Sequence, residues 1–180
     1  ARVTILEGEK ATVRAALPSG LRDPVPRIRT AVSMTIAGIA QWDWPESWPT
    51  LMRELLAPLE AATSTTAAGV SLLSAEEHAA VAGVLRCLEL CAAELQEEHL
   101  PDALRSLMPL LLAFVTAPER HARRERARAV RVLHKLLERV ATLSDDAVVR
   151  HLTRGPLRPW AAAALGVLQS SATDVSNAAL

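Results

Sequence analysis

Residues 17–29 read Leu17-Pro18-Ser19-Gly20-Leu21-Arg22-Asp23-Pro24-Val25-Pro26-Arg27-Ile28-Arg29. Prolines and a glycine break whatever precedes, and Pro26 stands where a helix tolerates proline, in its first turn. From there Ile28, Val32, Ile36 and Ile39 recur on one face at about 100° per residue, which predicts a helix over 26–41. Working outward, the same period governs the rest of the chain. Over 120–142, Ala129, Val130, Leu133, Leu136, Leu137 and Val140 share a face, and Arg120, Arg124, Arg128, Arg131, Lys135 and Arg139 form a stripe opposite. Over 75–98 the buried stripe is Val81, Val84, Leu85, Leu88, Cys91, Ala92 and Leu95, opened by Ser74 with Glu77 three residues on, a capping box. Shorter helices are predicted over 7–17, 46–60 around Leu51, Leu55 and Leu59, and 101–116 around Leu104, Leu107, Leu110, Leu111 and Phe114. A last one is predicted over 157–171, after Gly155-Pro156. Alternating Val/Ile/Thr runs are absent, and Ala, Leu and Arg dominate, so the fold class is all-α.

Seven helices alternate short and long, joined by brief turns such as Pro18-Ser19-Gly20 and Ser144-Asp145-Asp146. Short turns make neighbours antiparallel, giving a row of helical hairpins. The exception is the stretch 61–74, rich in Ser, Thr, Ala and Gly, which is expected to be a flexible inter-helix loop. Long helices start near 26, 75 and 120, a spacing of about 49 and then 45 residues, close to the roughly 40–47 of HEAT and armadillo repeats. The turn resembles the HEAT pattern, in which an Asp is followed six residues later by an Arg after a β-branched residue. Here those are Asp23 and Arg29, and the Asp23 carboxylate is expected to cap the helix and accept from the Arg29 guanidinium. The expected architecture is a HEAT-repeat α-solenoid, a right-handed superhelix of antiparallel helix pairs. Residues 1–180 would form one continuous array of about three and a half repeats. Because a solenoid repeat buries its face only against neighbours, the chain is expected to be part of a longer array.

Residues 42–49 read Trp42-Asp43-Trp44-Pro45-Glu46-Ser47-Trp48-Pro49. Locally this is expected to be a corner, with Asp43 or Ser47 capping a helix, the prolines fixing its direction and the indoles filling the groove between hairpins. Gly20-Leu21-Arg22-Asp23, Arg29-Thr30-Ala31-Val32, the run from Ile36 through Pro49, His99-Leu100-Pro101 and the Arg124-x-Arg126-x-Arg128-Ala129-Val130 segment together resemble the importin-β family of nuclear transport receptors. The resemblance is tight over 20–49 and loose over 61–74 and the last helix. It implies a HEAT superhelix that binds protein cargo, the GTP-bound form of the small GTPase Ran, and Phe-Gly nucleoporins, and that shuttles between cytoplasm and nucleus through the nuclear pore. It also implies basic cargo such as core histones, and that the helices over 26–41, 75–98 and 120–142 line the concave side.

Composition bounds the alternatives. The chain has 180 residues, half of them hydrophobic, with 20 basic against 20 acidic side chains and a mean hydropathy of +0.17, which is a globular composition. No apolar run reaches the roughly 18 residues of a membrane span, and no signal-peptide pattern opens the sequence. Cys87 and Cys91 lie four apart on one helix face and read as two small, reduced core residues. His78, His99, His121, His134 and His151 are too scattered to form a metal set with them. No cofactor is expected, and no catalytic residue: there is no glycine-rich phosphate loop, no His-Glu-x-x-His and no nucleophile with an evident base.

Charge is distributed unevenly. Residues 76–102 carry seven acids and one base, a net of −6, and residues 119–139 carry eight bases and three acids, a net of +5. The candidate protein-binding residues are therefore the basic stripe already named, meeting an acidic surface on Ran or cargo, and Glu89, Glu94, Glu97 and Glu98, attracting basic partners. The plainer reading is two solvated faces that pair loosely, at roughly 0–1 kcal/mol per pair. Arg126 falls on the apolar side and reads as structural. Direct nucleic-acid binding is disfavoured by the neutral total, the neighbouring acidic segment and the lack of aromatic residues beside the arginines. The competing function is a non-transport HEAT scaffold subunit, which shares the Asp23/Arg29 turn but has no need of the tryptophan-rich run.

Overall fold

The computed structural model describes residues 5–64, 73–117, 119–143, 149–150, 154, 155, 158, 161 and 162. Among them no strand occurs. Six α-helices follow one another: α1 (Glu7–Ala16), α2 (Pro26–Asp43), α3 (Leu51–Thr63), α4 (Ala75–Glu94), α5 (Leu100–Thr116) and α6 (Arg123–Ala141), with 3-10 segments at Leu17–Arg22 and Glu97–His99. The expected helix over 157–171 and most of the 61–74 loop lie outside the described residues. No described helix is long and apolar enough to cross a membrane.

The chain divides into two compact units, Ala1–Leu95 and Gln96–Leu180. In the first, α2 and α3 both pack on α4, and the Leu17–Arg22 segment packs on α1, α2 and α4. Leu51, Leu55 and Leu59 are buried on α3 as their spacing requires, and α4 buries Val81, Val84, Leu85 and Leu88. The α2 stripe differs from the expected one. Its buried residues are Ser33, Ile36, Ala37 and Ala40, while Ile28 is 44% exposed and Val32 and Ile39 are half-buried. The reason is a close approach. Ser33 Oγ, which donates to the Arg29 carbonyl at 2.7 Å, also lies 3.3 Å from the Gly83 carbonyl oxygen of α4, a distance that only small residues permit. A Cβ built on Gly83 would fall 2.1 Å from the Leu21 carbonyl oxygen, so the 3-10 segment rests directly on α4 backbone.

In the second unit α5 packs on α6. Leu104, Leu107, Leu111 and Phe114 of α5 are buried, and so are Ala129, Val132, Leu133, Leu136 and Val140 of α6. Phe114 stacks on His121, itself buried, with ring centroids 4.0 Å apart at 35°. The core face of α6 is rotated from the expected one: Val132 lies in it, whereas Val130 is 47% exposed.

Candidate interaction surface

The tryptophan-rich run forms a corner, but not by the expected contacts. Asp43 does not cap α3, whose first residue is Leu51 rather than one near 46. Pro49 inside the predicted first turns would lack an N–H and push Trp48 out of helical backbone. Residues 44–50 instead turn, with the Ser47 and Trp48 N–H groups donating to the Asp43 carbonyl at 2.7 and 2.8 Å, and Trp44-Pro45 is a cis peptide. The Asp43 carboxylate receives Arg14 of α1, from Nε at 2.7 Å and from the guanidinium terminus at 2.7 Å. Arg14 also reaches Glu7 at 2.7 Å and is buried. Asp43 thus ties α1 to the end of α2.

The indoles separate. Trp48 is 3% exposed and Trp42 is 80% exposed, so Trp42 does not fill a groove between hairpins. It flanks an open groove lined by Ile5, Lys10, Val13, Gly38 and Ile39.

The turn before α2 is also built differently. The Asp23 carboxylate accepts from the Val25 N–H at 2.7 Å. Arg29 donates to the backbone carbonyls of Asp23, at 2.5 Å, and Pro24, at 3.0 Å, and not to that carboxylate. The turn is still locked, because the arginine fills two carbonyl oxygens of the turn ahead of α2.

On α6 the cations of the stripe share one side of the helix, except that Arg120 lies in the turn before it, because α6 starts at Arg123 rather than at 120. Arg124 and Arg131 are exposed, whereas Arg120, Arg128, Lys135 and Arg139 are half-buried. The stripe therefore borders the core face rather than opposing it. Val132 and Glu125 take positions at the edge of that face, which draws the nearer cations inward along their aliphatic stems. Lys135 donates to Glu138 at 2.8 Å, and this bond holds the Glu138 carboxyl below the usual range. The acidic residues fall on two elements. Glu89 and Glu94 stand on α4, and Glu89 is 3.3 Å from Arg86. Glu97 and Glu98 lie on the 3-10 segment that belongs to the second unit, because α4 ends at Glu94 rather than running to 98.

Three positioning residues were not singled out from sequence. Arg14 is one. Glu125, 6% exposed, accepts from the Ala122 N–H at 3.1 Å and so supplies the acidic half of a capping box where residue 122 has no hydroxyl. The third is His121 beneath Phe114. A Glu three residues after a helix start is a legible signal for Glu125; the other two depend on long-range packing.

The class these features define is an all-helical chain of pairwise-packed helices with a cationic helix side and an ion-paired corner. No protein-family profile matches it. It is similar to importin-9 of Drosophila melanogaster, 47% identical over 45 residues, which are 25% of this chain and 4% of that protein. It is also similar to importin-11 of mouse and of human, each 38% identical over 50 residues, 28% of this chain and 5% of theirs. The matched stretch thus spans about one-twentieth of these relatives. Because two kinds of importin match over short segments, the likeness is to an importin-β-like family rather than to one member.

Proposed function

We propose that this chain is a HEAT-repeat segment of an importin-9-like nuclear transport receptor, with no catalytic activity of its own. The observation that carries the reading is the 38–47% identity with importins over 45–50 residues, joined to a fold in which α2 and α3 pack on α4, and α5 on α6. The receptor binds Ran in its GTP form and basic protein cargo such as histones, and engages Phe-Gly nucleoporins while moving between cytoplasm and nucleus. The exposed cations Arg124 and Arg131, with Arg128 beside them, meet the acidic surface of a partner. Glu94, Glu97 and Glu98 favour basic cargo by long-range attraction, which sets association rate more than final affinity.

Titration of the chain with Ran loaded with GTP, and separately with GDP, tests this. Selective binding of the GTP form is expected, lost in Arg124/Arg128/Arg131→Glu while helicity stays intact. Equal binding of both forms, or none, would move the assignment to a non-transport helical scaffold.

A further inference from the structure

Cys87 and Cys91 take no part in the surface described above. They stand one turn apart on α4, as free thiols, Cys87 buried and Cys91 half-buried, with their sulfurs 3.9 Å apart. The Cys87 sulfur also lies 4.0 Å from the Ser33 carbonyl oxygen of α2, so the pair sits at the close α2–α4 crossing. The Cys91 thiol, and after it burial, raise the Cys87 pKa, which keeps that thiol protonated in the absence of a ligand. A disulfide does not suit the pair. Helical neighbours four apart hold their Cβ atoms about 5–6 Å from each other, whereas a disulfide wants about 3.5–4.5 Å.

An ion held by both sulfurs does suit it. With metal–thiolate bonds of about 2.3 Å, a tetrahedral angle separates two sulfurs by about 3.8 Å and a linear one by about 4.6 Å. The observed 3.9 Å corresponds to an angle of about 116°, and a two-coordinate ion asks the sulfurs to part by roughly 0.5–0.7 Å, which a small rotation of the half-buried Cys91 side chain supplies. We propose that Cys87 and Cys91 form a two-thiolate site for a soft ion of low coordination number, of the Cu(I) type. Zinc asks for about four ligands, and among the described residues no group of three or more His, Cys, Asp or Glu side chains converges. Thiolates select Cu(I), and two suffice for it. On binding, each thiol gives its proton to solvent, two S–Cu bonds form, no electron is transferred, and the resulting centre carries one negative charge. The ion then clips consecutive turns of α4 beside the Ser33–Gly83 approach. This site is independent of the transport reading and stands or falls without it.

The test is an anaerobic competition between the full chain and the chelator bathocuproine disulfonate for Cu(I), read by loss of the coloured chelate. One ion per chain is expected, with affinity falling at least about 100-fold in Cys91→Ala and in Cys87→Ala at unchanged far-UV circular dichroism. If Cys87→Ala loses helicity, Cys91→Ala, at the half-buried position, decides. A third variant, Cys91→Ala/Ala93→Cys, keeps two thiols but turns one to another side of α4, and is expected to bind as weakly as the single variants. Failure of the native chain to take copper from the chelator overturns the proposal. Undiminished uptake in any of the variants that keep their helicity overturns it as well.

Discussion

At the scale of single residues, Trp42 and Trp48 belong to one short run yet differ from 80% to 3% exposed. Trp48→Ala should cost about 3–5 kcal/mol of unfolding free energy by leaving a cavity. Trp42→Ala should stay within about 0.5 kcal/mol, as a surface change does; urea melts of the two variants give the comparison. Gly83 offers a test in which two effects oppose. In an open helix Gly→Ala stabilises by about 1 kcal/mol, but here the added methyl would meet the Leu21 carbonyl oxygen at 2.1 Å. Gly83→Ala should therefore destabilise by about 1–3 kcal/mol, the usual cost of overpacking, and a stabilised variant would show that the 3-10 segment can retreat at little cost. Glu7 carries a pH dependence. Its bond to Arg14, then that to Lys10, hold its carboxyl below the ordinary 4.5. Its contribution is complete above the unfolded-state value and is lost as pH falls through the lower folded-state value. Protection factors along α1, corrected for the intrinsic pH dependence of amide exchange, should fall on acidification, and fall less in Glu7→Gln; identical profiles would remove Glu7 as the source.

At the scale of elements, α3 and the start of α4 were readable because each depends on neighbours in sequence. Leu51, Leu55 and Leu59 are buried at their helical spacing. At α4 the Glu77 N–H donates to Ser74 Oγ at 3.2 Å and the Ser74 N–H to Glu77 at 2.6 Å. Ser74→Ala should cost about 1 kcal/mol, seen as lower protection of the first turn of α4 in hydrogen exchange. The α2 seam was not readable in the same way. Periodicity weights large side chains and finds Ile36, but the other buried residues are the small Ser33, Ala37 and Ala40, and Ser33 is the one that meets the Gly83 carbonyl of α4. The side of α6 was misjudged for a related reason. The apolar residues Val130, Val132, Leu133 and Leu137 spread over an arc of about 160° at 100° per residue, and the packing against α5 chooses among them. Likewise the Asp23/Arg29 pair was found by spacing, but which oxygen the arginine takes is set by where the turn leaves carbonyls unfilled.

At the scale of the whole molecule, the candidate surface was legible as charge but not as geometry. The runs of −6 and +5 are plain in the sequence, yet the acidic run is divided when α4 stops at Glu94 and a new unit begins at Gln96. With 20 charges of each sign and an isoelectric point near 7.2, the chain should show its lowest solubility around neutral pH. Light scattering across pH 5–9, about two units either side of that point, should find aggregation falling away in both directions; a monotonic trend would mean that local charge segregation outweighs the net balance. The partition of the chain has a further effect on how it can be watched. Three of its four indoles, Trp42, Trp44 and Trp48, fall in the first unit, while both units are helical. An ultraviolet emission melt would chiefly follow the first half, and an ellipticity melt would follow both. Overlaying the two curves would therefore report, with no label attached, whether the halves give way together or in turn.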